Sequence, residues 1–324
     1  MSVSDRPTVP EHPDPERPDA EPAGAEPATA DRTDARGTAA ASSTPDHRSS
    51  DRPVPVRRVR FRWPDDFRPV WAPRNPELAI AANAVSMLMP HMEPYVVASV
   101  RSQAEGLRES HPELAARAGA YVSQEAQHHG QHRRFNDIML RHYPGLSRIE
   151  RVMAWFFGRL RRRSSRFGLA FAAGFECIAF IAARWVDKRQ SLMRGAEPTA
   201  ATFFLWHLAE EVEHKEVAFD VYEASGGGRL RYLWATWVAG LSLAAFSLVC
   251  TWVMLWKERR FWRPTAHIRL LIWSVSFIFV ALPAMIVSAL PGHHPRDLAD
   301  PAGLENWLDN LDPETSTVPE WSLP

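Results

Sequence analysis

From about Pro76 onward, apolar side chains recur every three or four residues, and the strict alternation of a half-buried strand is scarce. This pattern predicts helices over 76–108, 112–141, 165–193 and 197–224, with a shorter basic helix over 147–162 between the second and third. Pro112 and Pro198 suit first helical turns, where a missing N–H costs nothing. Gly226, Gly227 and Gly228 end the last of these helices. Two further runs are apolar on every side. Tyr232 to Trp256 has no charged residue over 25 positions, and Leu270 to Leu290 has none over 21. About 20 such residues cross a hydrocarbon core of roughly 30 Å. Trp234, Trp237, Trp252, Trp256 and Trp273 sit toward the ends of the runs, as an interfacial belt would place them.

The expected fold is therefore all-α: a four-helix bundle over 57–228, then a transmembrane helical hairpin over 229–290. Residues 1–56 are Pro, Ala, Ser, Thr and charged residues with almost no large apolar side chains. They are expected to be disordered, because they cannot bury enough surface to offset their ordering entropy. A basic, aromatic stretch from Val56 to Trp71 then leads into the bundle and is expected to dock on it. Residues 291–324 form an acidic tail, expected to be loose. No apolar stretch follows Met1, so no signal peptide is expected.

Charge bears mainly on the hairpin. The formal net charge is zero, which selects no class of partner. The turn from Lys257 to Arg269 carries five Lys/Arg against one Glu, and the positive-inside tendency would put it in the cytoplasm. Carrying the whole preceding domain outward without a signal is the harder route, so the expectation is a cell-membrane protein with its catalytic domain on the cytoplasmic side. The basic run from Arg159 to Arg166 would face anionic lipid there. Two cysteines, Cys177 and Cys250, are too few for a disulfide framework and fit a reducing compartment. Neither Cys-x-x-Cys, a P-loop nor Gly-x-Gly-x-x-Gly occurs, which leaves zinc ribbons, nucleotide hydrolysis and dinucleotide binding unsupported.

The candidate chemistry lies in acidic and histidine side chains on the apolar helices. In chain order they are Glu93, then Glu125 with His128, then Glu176, then Glu211 with His214. Residues at i and i+3 share a helix face, so each Glu-x-x-His can aim at one point. Glu93 and Glu125 are 32 residues apart and Glu176 and Glu211 are 35 apart, each suiting a helical hairpin with its ligands level; the middle interval of 51 suits a crossover. A single Glu-x-x-His is usually a solvated face. Two copies, each preceded by a carboxylate on an apolar helix, are hard to obtain by accident. Glu176 is the only charge between Gly168 and Ala183, and burying it unpaired would cost several kcal/mol. Four glutamates carry the charge that two divalent cations neutralise. His207, four residues before Glu211, is a further ligand candidate, and His132, four after His128, is either a ligand or an outer partner. Glu210, Glu213 and Glu216 read as surface or outer-shell groups, with Lys215 paired to one of them. Pro90 and Pro94 bracket Glu93, so its helix either kinks there or begins nearby.

The segments Gln124 to Asn136 and Ala209 to Tyr222 resemble a bacterial family described as predicted metal-dependent hydrolases, over roughly residues 58 to 260. The ligand order also resembles ferritin-like di-iron carboxylate proteins. His207, Glu211 and His214 are similar to the pattern of the para-aminobenzoate N-oxygenase group, which adds one histidine to the usual six ligands. The prolines around Glu93 and the apolar hairpin depart from that group. The resemblance implies metal ligands at Glu93, Glu125, His128, Glu176, His207, Glu211 and His214.

Carboxylate-rich sites favour iron or manganese over zinc. The leading expectation is two metal ions, iron first, oxidising or hydroxylating an apolar, lipid-derived substrate with dioxygen. Hydrolysis by a metal-activated water is the alternative, and a metal-binding membrane scaffold without turnover is the third. Expected partners are an apolar or lipid-like small molecule, membrane lipid, an electron donor and, as an open question, a second copy of the chain. Nothing calls for nucleic acid.

Overall fold

The computed structural model describes residues 54–308. The expectations for residues 1–53 and 309–324 lie outside the described residues.

Among the described residues all regular structure is helical. The helices are α1 (Pro76–Ala104), α2 (Pro112–His142), α3 (Leu146–Leu160), α4 (Ser165–Asp187), α5 (Pro198–His214), α6 (Val217–Ala224), α7 (Arg229–Lys257), α8 (Pro264–Ser288) and α9 (Ala302–Leu308). Local sequence explains most starts. Pro76, Pro112, Pro198 and Pro264 occupy first turns. Ser164 caps α4 by accepting from the Phe167 N–H, and the Glu197 carboxylate caps α5 by accepting from Thr199 and Ala200.

Two expectations about helix continuity change. α1 runs unbroken through Pro90 and Pro94, so Glu93 lies deep inside a helix and not near a start. The expected helix over 197–224 is interrupted at Lys215 and Glu216, which separate α5 from α6. Both residues are buried at the break. Lys215 Nζ donates to Asp300 Oδ1 at 2.6 Å and to the Leu298 carbonyl at 3.1 Å, while Arg117 pairs with Glu216 at 2.9 Å. The expected pairing of Lys215 with a neighbouring glutamate is thus replaced by a contact with the C-terminal segment. That segment is docked, not loose, as far as it is described: Leu304 is fully buried and α9 packs on α5.

The site lies among α1, α2, α4 and α5. α1 packs along α2, and α4 packs on α1, α5 and α6. The leading stretch docks as an extended strap. Phe61 and Trp63 form edge contacts with Phe203 at 5.4 Å, and Trp71 stacks on Phe204 at 5.3 Å.

The C-terminal apolar helices are not a freestanding hairpin. α7 packs chiefly on α4 and α1, α8 chiefly on α4, and the two touch each other little. Gly174 of α4 permits a close approach to α7: a Cβ there would lie 2.7 Å from the Thr236 Cα. Three described helices are long and apolar enough to cross a membrane: α4, α7 and α8. Their burial separates them. The most apolar stretch of α4 is 72% buried, against 33% in α7 and 11% in α8, so α4 is a core helix and the other two carry the exposed apolar surface.

Candidate metal centre

Two groups of potential ligands converge in the core. Glu125 and His128 from α2 meet Glu211 and His214 from α5, with one donor atom of each within 4.8 Å of the others. Glu93 from α1, His132 from α2 and His207 from α5 form a second group to the same criterion. His207 Nε2 lies 2.7 Å from Glu211 Oε1, which joins the two groups. Glu176 enters from α4, with Oε2 3.9 Å from His214 Nδ1, while Tyr121 donates to its Oε1 at 2.6 Å. All seven residues singled out in the sequence therefore reach one buried region. His132 joins them; its role is ambiguous in sequence because two turns of α2 offer three histidines.

Histidine protonation can be worked out from the outer partners. Glu210 Oε2 lies 2.9 Å from His128 Nε2 and accepts its proton, which turns Nδ1 toward Glu125 Oε1 at 3.4 Å and Glu211 Oε1 at 3.6 Å. Gln124 donates through Nε2 to the Pro55 carbonyl and Glu213, so its Oε1 accepts from His214 Nε2. His214 Nδ1 then faces Glu125 Oε1 at 3.0 Å. Asn136 donates to the Ser86 carbonyl and accepts from the Ser86 hydroxyl, so His132 must donate its Nδ1 proton to Ser86 Oγ at 2.7 Å. Its Nε2 lone pair is turned toward His207 and Glu93. Such outer-shell acceptors fix tautomers and orient rings at metal sites.

The outer shell is reciprocal. Gln124, which precedes Glu125 on α2, orients His214 of α5; Glu210, which precedes Glu211 on α5, orients His128 of α2. Arg57 of the strap binds both sides, to Glu210 at 3.1 Å and to Glu213 at 2.9 and 3.0 Å. Sequence reasoning missed Arg57 and Gln124 and left Glu210 and Glu213 open. A polar residue next to each ligand carboxylate on a helix is a usable signal for Gln124 and Glu210; Arg57 has none, because only packing brings it there.

Electrostatics match a site short of positive charge. Burial pushes the Glu93 carboxyl well up, and the nearby Glu125 adds to it. Burial also opposes ionisation of Glu125, but His128 and His214 outweigh it and hold that carboxyl down. At His128 the same burial is overcome by Glu125 and Glu210, which push it well up. His132 is pushed well down by burial and then by His207, so it stays neutral. Tyr121 is pushed well up by burial and by the adjacent Glu176, so it remains a donor.

Both carboxylate oxygens of Glu93 and of Glu125, one each of Glu176 and Glu211, and Nδ1 of His128 and His214 are buried without a hydrogen-bond partner. Orphaned acceptors at this density are costly and rare in a folded core. Hard anionic oxygens with imidazole nitrogens are the donor set of divalent transition metals. The residues present therefore fit metal ions.

An all-helical protein with a buried glutamate and histidine cluster able to bind metal is the class these observations define. The chain belongs to the family described as "Predicted metal-dependent hydrolase", whose pattern matches residues 55–299. Comparison with curated proteins and with solved structures gave no match.

Proposed function

We propose that this protein is a metal-dependent hydrolase whose centre holds two divalent ions and whose substrate is apolar or lipid-like. The carrying observation is the set of orphaned carboxylate and imidazole atoms converging from α1, α2, α4 and α5. Glu125, His128, Glu176 and His214 would hold one ion, Glu93, His132 and His207 the other, with Glu211 between them. This ligand order is that of a ferritin-like four-helix bundle. Two bound ions supply a water of lowered pKa and a clamp on the oxygens of the reacting bond.

The chain's own residues do the rest. Glu210 and Gln124 hold two imidazoles with their lone pairs inward, and Tyr121 holds Glu176 by a 2.6 Å hydrogen bond. The aromatic strap and the packed faces of α1 and α4 exclude bulk water from the site, which strengthens every charge interaction inside it. An apolar substrate suits the exposed α7 and α8 surface, one helix layer from the centre across α4. That surface supports membrane association, which we place at the cytoplasmic side of the cell membrane.

The test is metal analysis of the purified full chain, followed by assays on ester and amide panels with acyl chains of increasing length. Metal-dependent turnover that rises with chain length is expected, and Glu125→Gln should abolish it. Turnover unaffected by metal removal would sink the proposal.

The four carboxylates favour a second reading, oxidation by dioxygen at a di-iron centre with an external electron donor. Iron in the purified protein, with an optical change when air meets the ferrous form, would favour it; zinc with no response to air would leave hydrolysis.

A further inference from the structure

Resting on the membrane association just proposed, we infer that α7 and α8 do not span the bilayer. They lie along its surface as a one-sided apolar face against anionic lipid. Length and hydropathy permit spanning; the neighbours of α7 do not.

α3 runs beside the second half of α7 in the opposite direction. Tyr143, just before α3, donates to Glu258 at 2.8 Å, the backbone of Gly145 abuts Val253, and Phe156 meets Phe246 at 5.5 Å. Arg148 and Arg151 of α3 are exposed and lie between these contacts, so they stand level with the apolar stretch of α7. On the far side, Arg133, Arg134 and Asp137 of α2 are also exposed. α2 is tied to α1 where Ser86 meets His132, and α1 runs from Glu77, paired with Arg260 past the end of α7, to Tyr95, which packs on Phe171 of α4. These charges therefore also lie within the axial span of α7. A membrane crossed by α7 would surround them with hydrocarbon, at about a hundredfold against insertion for each arginine near the midplane.

The exposed face instead has the form of a surface anchor. Trp234, Leu241, Leu248 and Trp252 are 64%, 61%, 50% and 48% exposed and follow one stripe of α7. On α8, Leu271, Ile278 and Phe279 are likewise exposed, at 63%, 54% and 77%. Isolated apolar residues on a surface mean little, but two long helices exposing this many large apolar side chains call for a partner. Charge at its borders selects the partner. Arg159, Arg161, Arg162 and Arg163 at the end of α3, with Arg259 and Arg263 between α7 and α8, lie beside it and are exposed. Trp155 and Trp262, 64% and 76% exposed, stand among these arginines as interfacial aromatics do. Basic borders around an apolar face match an anionic lipid surface.

The test uses the metal-loaded full chain on vesicles of phosphatidylglycerol and phosphatidylcholine. Single cysteines replace Ile268, Leu271, Val275, Phe279 and Ile286 in turn and carry a nitroxide; Cys177 and Cys250 are fully buried, and the parent chain serves as the labelling control. A flat helix predicts similar shallow depths at all five positions, about 5–10 Å into the headgroup and acyl boundary. Depth peaking at Val275 and Phe279, with both ends shallow, overturns the surface arrangement and restores spanning while leaving membrane association intact. Labels that stay in water with vesicles present overturn membrane association and this proposal together. Spin–spin broadening in a lipid-resistant dimer assigns the face to a second copy and overturns lipid as its occupant. Changing Arg161, Arg162 and Arg163 together to Gln should weaken binding to anionic vesicles about a hundredfold; unchanged affinity overturns the charge-selected docking.

Discussion

At the scale of single residues, the orientation of the histidines is set by groups outside the proposed metal donor set. Glu210 takes the outer proton of His128, so Glu210→Ala should lower metal affinity about 10–100-fold, the usual effect of losing an outer-shell partner. Competition with a chelator, read as retained metal per chain, measures this. Glu210→Gln keeps an acceptor oxygen and should recover most of the loss; equal loss in both variants would mean that charge matters here and orientation does not. Metal binding should also weaken as pH falls below the ordinary histidine range of about 6.5, because protons compete for imidazole and carboxylate alike. Fold stability has a separate, lower window: the carboxyls of Glu125 and Glu211 are held low in the fold, so the stability they contribute is present above the ordinary carboxylate range and is lost as pH falls through their lowered values. A titration of metal content against pH with unchanged helicity would separate ligand protonation from unfolding. Much of the site is legible at this scale. A carboxylate or imidazole on an apolar helix is expensive, and Glu176 between Gly168 and Ala183 shows it in one dimension. Arg57 is not legible, because an arginine in a basic stretch reads as solvated until packing carries it to Glu210 and Glu213.

At the scale of elements, periodicity places helix starts well and some ends and interruptions poorly: the helices expected over 76–108 and 165–193 end at Ala104 and Asp187. α2 and α3 fall within two residues of expectation at both ends. The break between α5 and α6 has no propensity signal, since Lys and Glu are ordinary helix residues. It accompanies a long-range contact, Lys215 with Asp300. Asp300→Ala should therefore destabilise the protein by about 1–3 kcal/mol, because it strips a buried ammonium of its ion-pair partner; denaturant unfolding measures it, and a change within ±0.5 kcal/mol would count against the contact. The α4 and α7 interface gives a second prediction. Gly174→Ala would put a Cβ 2.7 Å from the Thr236 Cα, backbone that cannot yield like a side chain. Overpacking of this kind costs about 1–3 kcal/mol, and a lowered Tm should register it.

At the scale of the whole molecule, the buried carboxylates tie metal content to stability. Removing the ions leaves Glu93, Glu125, Glu176 and Glu211 buried in the core without compensating cations, so the chelated protein should melt earlier and recover on refilling. A ligand present at a hundred times its Kd contributes about 2.7 kcal/mol, and the shift in Tm with free metal concentration reads it. An unshifted Tm across that range would argue against metal in the core. The helical class, the order of the acidic and histidine residues and the two long apolar runs belong to the sequence alone, because each depends on residue type and local spacing. Whether those runs stand apart or pack on α4 and α1, which imidazole nitrogen faces the centre, and how the strap reaches the outer shell were decided only by tertiary structure. Those properties depend on pairs of residues more than forty positions apart, and their contact energies leave no periodic trace along a single chain.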